Sequence, residues 1–168
     1  MVRAAKKEGL PLTCDVSAHH AHLSEMDLGY FDSHCHVIPP LRSLRDRDAL
    51  RAGLADGTID AICSDHAPVD EDAKQLPFGE SEPGATGLEL LLPLALKWAQ
   101  EMKIALPDAL AAVTSKPAAI LGIEAGELGV GRDADICVFD PDAHVKITAD
   151  FLRSQGKNTP FIGYELPG

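Results

Sequence analysis

Residues 59–68 read IDAICSDHAP, and this stretch decides the fold. Its first six residues are mostly apolar, as expected for a parallel strand that is buried on both faces. A helix pattern precedes the strand, because Ser43 and Asp46 have the spacing of a capping box and an apolar stripe then runs to Gly57. Residues 10–16 predict an earlier, short strand. The predicted order is strand, helix, strand, which is typical of β/α units.

Further helices are predicted downstream. Apolar residues recur at helical spacing over residues 88–99, and Pro93 within that stripe predicts a helix that starts late or kinks. Pro107 opens a shorter helix, and residues 117–122 form another. Residues 128–139 predict a turn and a strand, and the remaining residues carry loop and edge-strand signals. A closed (β/α)₈ barrel needs about 250 residues, so this α/β chain is expected to supply only the last quarter of one.

The composition excludes several classes of protein. The chain has 168 residues, 45% of them hydrophobic, which is typical of a globular protein with one sizeable core. Its net charge of −11 argues against a nucleic-acid partner or an anionic membrane surface. The four cysteines form no CxxC pair, and no apolar signal core or membrane-length run occurs. We therefore expect a reduced, cytoplasmic protein.

Asp65 is the best catalytic candidate, because it directly follows the predicted buried strand. The carboxyl ends of barrel strands carry the reactive groups, since their loops converge on one mouth. A carboxylate there can accept a proton from a metal-activated water. Asp is equally common as a residue that caps a loop through its side chain, so the residue pattern alone leaves both interpretations open.

Three ordered motifs resemble class I dihydroorotases. They are PPLR at residues 39–42, DGTIDAICSDHAP at 56–68 and PGATGLE at 83–89, and TCDVSAHH at 13–20 extends the similarity. The resemblance implies a zinc pair, held in a TIM-like barrel, that activates water to open the cyclic amide of dihydroorotate. The reverse reaction closes carbamoyl-aspartate in pyrimidine synthesis.

The resemblance also implies roles for individual residues. Asp65 would be the metal-contacting acid/base on the eighth strand, and Pro83 and Gly84 would close over substrate. The stretch GELGVGRDADICVFD resembles the entry of amidohydrolase chains into a small β-sandwich. Residues 1–122 are therefore predicted to be the last two barrel units with trailing helices, and residues 123–168 part of the sandwich.

Two positions depart from the family pattern. Ile38 stands where the family has an asparagine that contacts substrate, and Val69 stands where it has a histidine. Neither replacement donates a hydrogen bond, so a polar substrate would leave groups unpaired. The family's other metal ligands would precede Met1, so the chain alone is expected to be inactive, to bind no zinc firmly and to fold poorly.

Histidines are frequent near these motifs. His34 and His36 imitate a metal-binding pair, but a solvated loop pair is the favoured interpretation. For the cluster at His19, His20 and His22, local hydrogen bonding is favoured over metal binding, with His20 beside the site. His66 is predicted either to support Asp65 or to be purely structural.

Three functions remain open at this stage. The first is a dihydroorotase, homo-oligomeric as the complete protein, acting on dihydroorotate or carbamoyl-aspartate. The second is a dihydroorotase-like structural subunit of aspartate carbamoyltransferase without activity, which Ile38 and Val69 favour and Asp65 disfavours. The third is a hydantoinase or allantoinase, which fits the PPLR and DHAP motifs less well.

Overall fold

A computed structural model describes residues 1–168. Two short 3₁₀ helices, Glu25–Leu28 and Ser33–Cys35, lie in the long connection after the first strand. The regular elements, in chain order, are α1 (Val2–Lys7), β1 (Asp15–Ser17), α2 (Leu44–Ala55), β2 (Ala61–Cys63), α3 (Glu71–Lys74), α4 (Leu91–Met102), α5 (Leu106–Ala111), α6 (Ser115–Leu121), β3 (His144–Lys146) and β4 (Glu165–Pro167).

The strands β1 and β2 form a parallel pair, with Asp15 opposite Ala61 and Ser17 opposite Cys63. Because α2 lies between them in the chain, the predicted order of strand, helix, strand is confirmed. Both strands are three residues long and thus shorter than predicted. The start of the predicted first strand is exposed, with Leu10 53% accessible, because no other strand lies beside it.

The helix α2 begins and ends where the sequence predicts. Ser43 accepts a hydrogen bond from the Asp46 amide, and the Asp46 carboxylate accepts one from the Ser43 amide. Gly53 lies against Ile59, where an added Cβ would be 3.1 Å from the Ile59 side chain. This close approach seats α2 on the chain that enters β2.

The helix α4 forms the centre of the core. It begins at Leu91, so Pro93 falls in its first turn and the late start is the correct alternative. Leu88 precedes the helix and is 61% exposed, so including it in the apolar stripe was wrong. Trp98 is 2% exposed, and the core that surrounds it includes residues of both parallel strands, β1 and β2.

The last part of the chain differs from the prediction. Residues 128–139 contain no strand, and Val130 and Val138 are fully or almost fully exposed, because nothing pairs with this segment. The only sheet here is the antiparallel pair β3–β4, which contacts α4. Ile147 and Phe161 enter the same core as Trp98. The sandwich and the boundary at residue 122 remain predictions.

No helix in the structure combines the length and the apolar character that a membrane crossing requires.

Candidate active site

Asp65 lies two residues beyond β2 and has a left-handed backbone, with φ +46°. A left-handed backbone strains a non-glycine residue by about 1–3 kcal/mol, with aspartate and asparagine at the low end, and it persists where the surrounding structure fixes it. Such strain is concentrated at functional sites. The carboxylate is 44% exposed and contacts His19. The structure thus presents a strained, half-exposed carboxylate at the end of the buried strand.

His19 is the neighbour of Asp65 that the sequence interpretation undervalued. Because Ser17 pairs with Cys63, His19 and Asp65 each lie two residues beyond paired positions, at the same edge of the sheet. His19 Nε2 is 3.1 Å from Asp65 Oδ2, and the histidine side chain is only 3% exposed. The strand register is the signal that predicts this contact.

The surroundings of His19 lower its pKa and favour the neutral form of the ring. Burial, together with the neighbouring His20, lowers the pKa of His19 to about 4, although contact with Asp65 opposes the shift. Nε2 is buried and has no well-aligned hydrogen-bond acceptor, even though Asp65 is close. A neutral imidazole with an uncommitted ring nitrogen is suited to metal ligation or to orienting the carboxylate.

His20 lies beside His19, with ring centroids 4.9 Å apart. Its Nε2 is 2.8 Å from the Pro39 carbonyl and its Nδ1 is 2.5 Å from the Ser17 hydroxyl. Nε2 must donate to the carbonyl, so Nδ1 accepts from the hydroxyl. Both ring nitrogens are therefore committed to local hydrogen bonds.

The side chains around Asp65 supply part of the ligand set that a metal ion requires. Side-chain atoms of His19, His20 and Asp65 lie within 4.8 Å of one another. Since His20 is committed, His19 Nε2 and Asp65 Oδ2 are the two atoms free to bind. Zinc takes three or four protein ligands, so these two residues would form one side of a zinc centre.

The predicted substrate segment at Gly84 packs directly on the Asp65 loop. A Cβ at Gly84 would lie 2.9 Å from the Ala67 carbonyl oxygen, and φ is +142°, so only glycine fits. The Gly84 amide donates to the His36 carbonyl at 2.8 Å. This amide is therefore engaged within the protein, whereas the adjacent Pro83 is half-buried at the surface.

The profile of the family described as "Amidohydrolase family" matches residues 2–163. The chain belongs to the amidohydrolase family. Over its whole length it is 46% identical to a dihydroorotase-like protein of Pseudomonas putida and 40% identical to a dihydroorotase of Geobacter sp. (strain M21). It covers 39% and 40% of those proteins, so the chain spans about two-fifths of the length of the curated relatives it matches.

Solved structures agree with this membership. The chain is similar to an L-hydantoinase (dihydropyrimidinase) from Arthrobacter aurescens, with a TM-score of 0.91 and 29% identity. The match covers 99% of this chain and 38% of the hydantoinase. A D-hydantoinase from Thermus sp. gives a TM-score of 0.88 at 25% identity.

The two departures from the pattern occupy different environments in this member of the amidohydrolase family. Ile38 is 70% exposed, on the segment whose Pro39 carbonyl binds His20. Val69 is 6% exposed and packs behind Gly84. Only Ile38 therefore presents its side chain to an open surface, at an apolar recess of about 300 Å³.

Three further histidines, His34, His36 and His66, have separate partners. His34 contacts Asp32 at 2.9 Å, whereas His36 bonds Ser81 at 2.9 Å and stacks on Phe78. His66 Nδ1 accepts hydrogen bonds from the Gly87 and Leu88 amides at 3.2 Å each, so its proton resides on Nε2. This arrangement ties the loop after β2 to the segment that enters α4.

Proposed function

We propose that the full-length protein containing this chain is a zinc-dependent dihydroorotase, which interconverts carbamoyl-aspartate and dihydroorotate in pyrimidine synthesis. The observation that carries the proposal is Asp65, held in a strained backbone at the end of β2 with His19 in contact. Identity of 46% to a dihydroorotase-like protein and 40% to a dihydroorotase supports this substrate class.

The chain's own residues have defined parts in the proposed reaction. Asp65 Oδ accepts the proton of the attacking water and returns it to the amide nitrogen as the ring opens. His19 Nε2 lies 3.1 Å from Asp65 Oδ2, where it is placed to orient the same carboxylate. His19 Nε2 and Asp65 Oδ2 would hold zinc, which would supply Lewis-acid activation of water and of the amide carbonyl, and the other carboxylate oxygen of Asp65 would carry the proton. Further ligands would come from the rest of the full-length protein.

The test is activity of the full-length protein purified with zinc. Carbamoyl-aspartate should cyclise at acidic pH and dihydroorotate should open at alkaline pH. Asp65→Asn should lower kcat by about 10²–10⁴-fold, because asparagine keeps the shape and tolerates the left-handed backbone but cannot accept the proton. Full activity of this variant would refute the assignment of Asp65.

One observation favours a second function, that of a non-catalytic subunit of aspartate carbamoyltransferase. Ile38 offers no hydrogen bond at an exposed position. A buried polar substrate group left unpaired there would lose about 1–3 kcal/mol of binding. Under this alternative the full-length protein lacks turnover and zinc, and its addition raises the Tm of the transcarbamoylase.

The structural neighbours motivate a third substrate test. The solved structures with TM-scores of 0.91 and 0.88 are named hydantoinases. Assays with hydantoin and dihydrouracil, run beside dihydroorotate on the same preparation, distinguish the two cyclic amide classes. We expect dihydroorotate to be preferred, since the sequence relatives named for it are closer in identity.

A further inference from the structure

Asn158 lies near the end of the chain, yet its side chain reaches the candidate active site. It is 3% exposed. Its Nδ2 donates to the Ala67 carbonyl at 2.9 Å and to the Gly84 carbonyl at 3.1 Å, and its Oδ1 accepts from the Val69 amide at 2.9 Å. These partners lie 91, 74 and 89 residues away in sequence. One side chain therefore joins the loop after β2 to the Gly84 segment.

The hydrogen-bond pattern fixes the orientation of this amide. The two carbonyls need donors and the Val69 amide needs an acceptor, so exchanging Oδ1 and Nδ2 would break all three bonds. The Asn158 backbone adds a fourth tie, because its carbonyl accepts from the Thr86 amide at 2.8 Å. An asparagine with both donors and an acceptor used, away from water, is a specific connection.

The segment that presents Asn158 is itself anchored. Glu89 Oε1 accepts from the amides of Arg153 and Ser154 at 2.8 and 2.5 Å. Lys157 Nζ closes the turn by donating to the Leu152 carbonyl at 2.6 Å and to the Ser154 carbonyl. Residues 152–158, the hook, are therefore bonded to one another and to Glu89, which lies just before α4.

The fit at the tip of the hook is close. A Cβ at Gly156 would lie 2.7 Å from Asn158 Oδ1 and 2.8 Å from the Pro68 Cβ. No side chain can be added here without displacing Asn158 or the loop. Gly156 is thus required for the contact between the hook and residues 67–69.

We propose that Asn158 is a positioning residue that holds Asp65 in its working geometry. Asp65 is two residues before Ala67, so the bonds of Asn158 to this loop help to hold the left-handed backbone of Asp65. β2 fixes one side, and Asn158 fixes the other together with the Ala67–Ala85 hydrogen bond and the bonds of His66. The Asn158 side chain also donates to the Gly84 carbonyl and so ties the predicted substrate segment to the loop that carries Asp65. The catalytic part of this inference rests on the proposed function.

The test uses the full-length protein and three variants. Asn158→Asp keeps the shape but replaces both donors by an acceptor. Gly156→Ala leaves every hydrogen-bonding group in place and displaces the hook sterically. Thr159→Val is the matched control, because Thr159 directly follows Asn158 and is equally buried. Its hydroxyl accepts a hydrogen bond only from the Phe161 amide, at 3.4 Å.

The first measurement is backbone hydrogen exchange, which does not depend on activity. Asn158→Asp and Gly156→Ala should accelerate exchange at residues 66–69 and 84–86 by about tenfold, as expected for one or two lost hydrogen bonds. Thr159→Val should leave these residues unchanged. A folded Asn158→Asp protein with wild-type exchange in both segments would overturn the proposal.

The second measurement is turnover with zinc at a temperature where every variant is folded. We expect kcat to fall about a hundredfold in Asn158→Asp, as for a small displacement of a reacting group, with KM changed much less and Thr159→Val within twofold of wild type. Faster exchange with wild-type kcat would reduce Asn158 to a structural tie and refute its positioning role. If the wild-type protein has no turnover, the proposed function fails, and exchange alone decides whether Asn158 fixes the loop.

Discussion

Residues 64–69 and residues 123–139 both lack regular secondary structure, but their surroundings are opposite. The first segment is tied by long-range hydrogen bonds to Ala85 and Asn158. The second bonds mainly to its own neighbours, as in the ion pairs of Arg132 with Glu124 and Glu127. An irregular backbone is therefore fixed by distant partners, whereas an apolar alternation without a partner does not become a strand.

Substitutions in the core that packs behind residues 64–69 should reduce stability most. Replacing Trp98 by Ala in the full-length protein is expected to lower the free energy of unfolding by about 3–5 kcal/mol, because the ring is 2% exposed. Trp98→Phe is the control and should lose less, since it keeps most of the volume and removes an indole N–H that lacks a partner. Chemical denaturation measures both. A loss below about 1 kcal/mol for the alanine variant would contradict the assignment of this core.

Low pH should destabilise the folded protein through His22. Burial lowers the pKa of His22 to about 4 from 6.5, although its bond to the Leu94 carbonyl opposes the shift. The unfolded chain therefore binds a proton first, so this contribution to stability is complete above pH 6.5 and is lost as pH falls through 4. The linkage amounts to roughly 3 kcal/mol.

The matched variant for this linkage is His22→Gln, which keeps a donor for the Leu94 carbonyl but does not titrate. Between pH 7 and 4, the free energy of unfolding should fall by roughly 3 kcal/mol less in this variant than in the wild type, as measured by denaturation at each pH. Equal slopes for the two proteins would show that His22 is not the group responsible.

The smallest effect is expected in the exposed segment. Val138 is 91% exposed, so Val138→Ser should change the free energy of unfolding by less than about 0.5 kcal/mol. Ile62→Ser is the contrasting variant, since Ile62 is 4% exposed in β2. A loss above 1 kcal/mol for Val138→Ser in the full-length protein would show that the rest of the polypeptide covers residues 123–139. That result would support the predicted sandwich.

Much of the secondary structure in the first half of the chain was predictable, because the sequence signals there act over short distances along the chain. The capping box at Ser43, the stop at Gly57 and the apolar run into β2 each act within one or two turns of chain. The position of Asp65 directly after a buried strand was predictable for the same reason, and its catalytic role stays a prediction. Errors arose where a pattern needed a distant partner, as at residues 128–139.

By itself the sequence determined the strand, helix and strand order, the place of α4 and the candidate Asp65, since spacing and capping are short-range properties. Tertiary structure alone decided that His19 meets Asp65, because that contact depends on the register of two strands 46 residues apart. It also decided that Asn158 binds Ala67 and Gly84. A polar side chain in a loop has no periodic signal, and its partners are set only when the chain has folded.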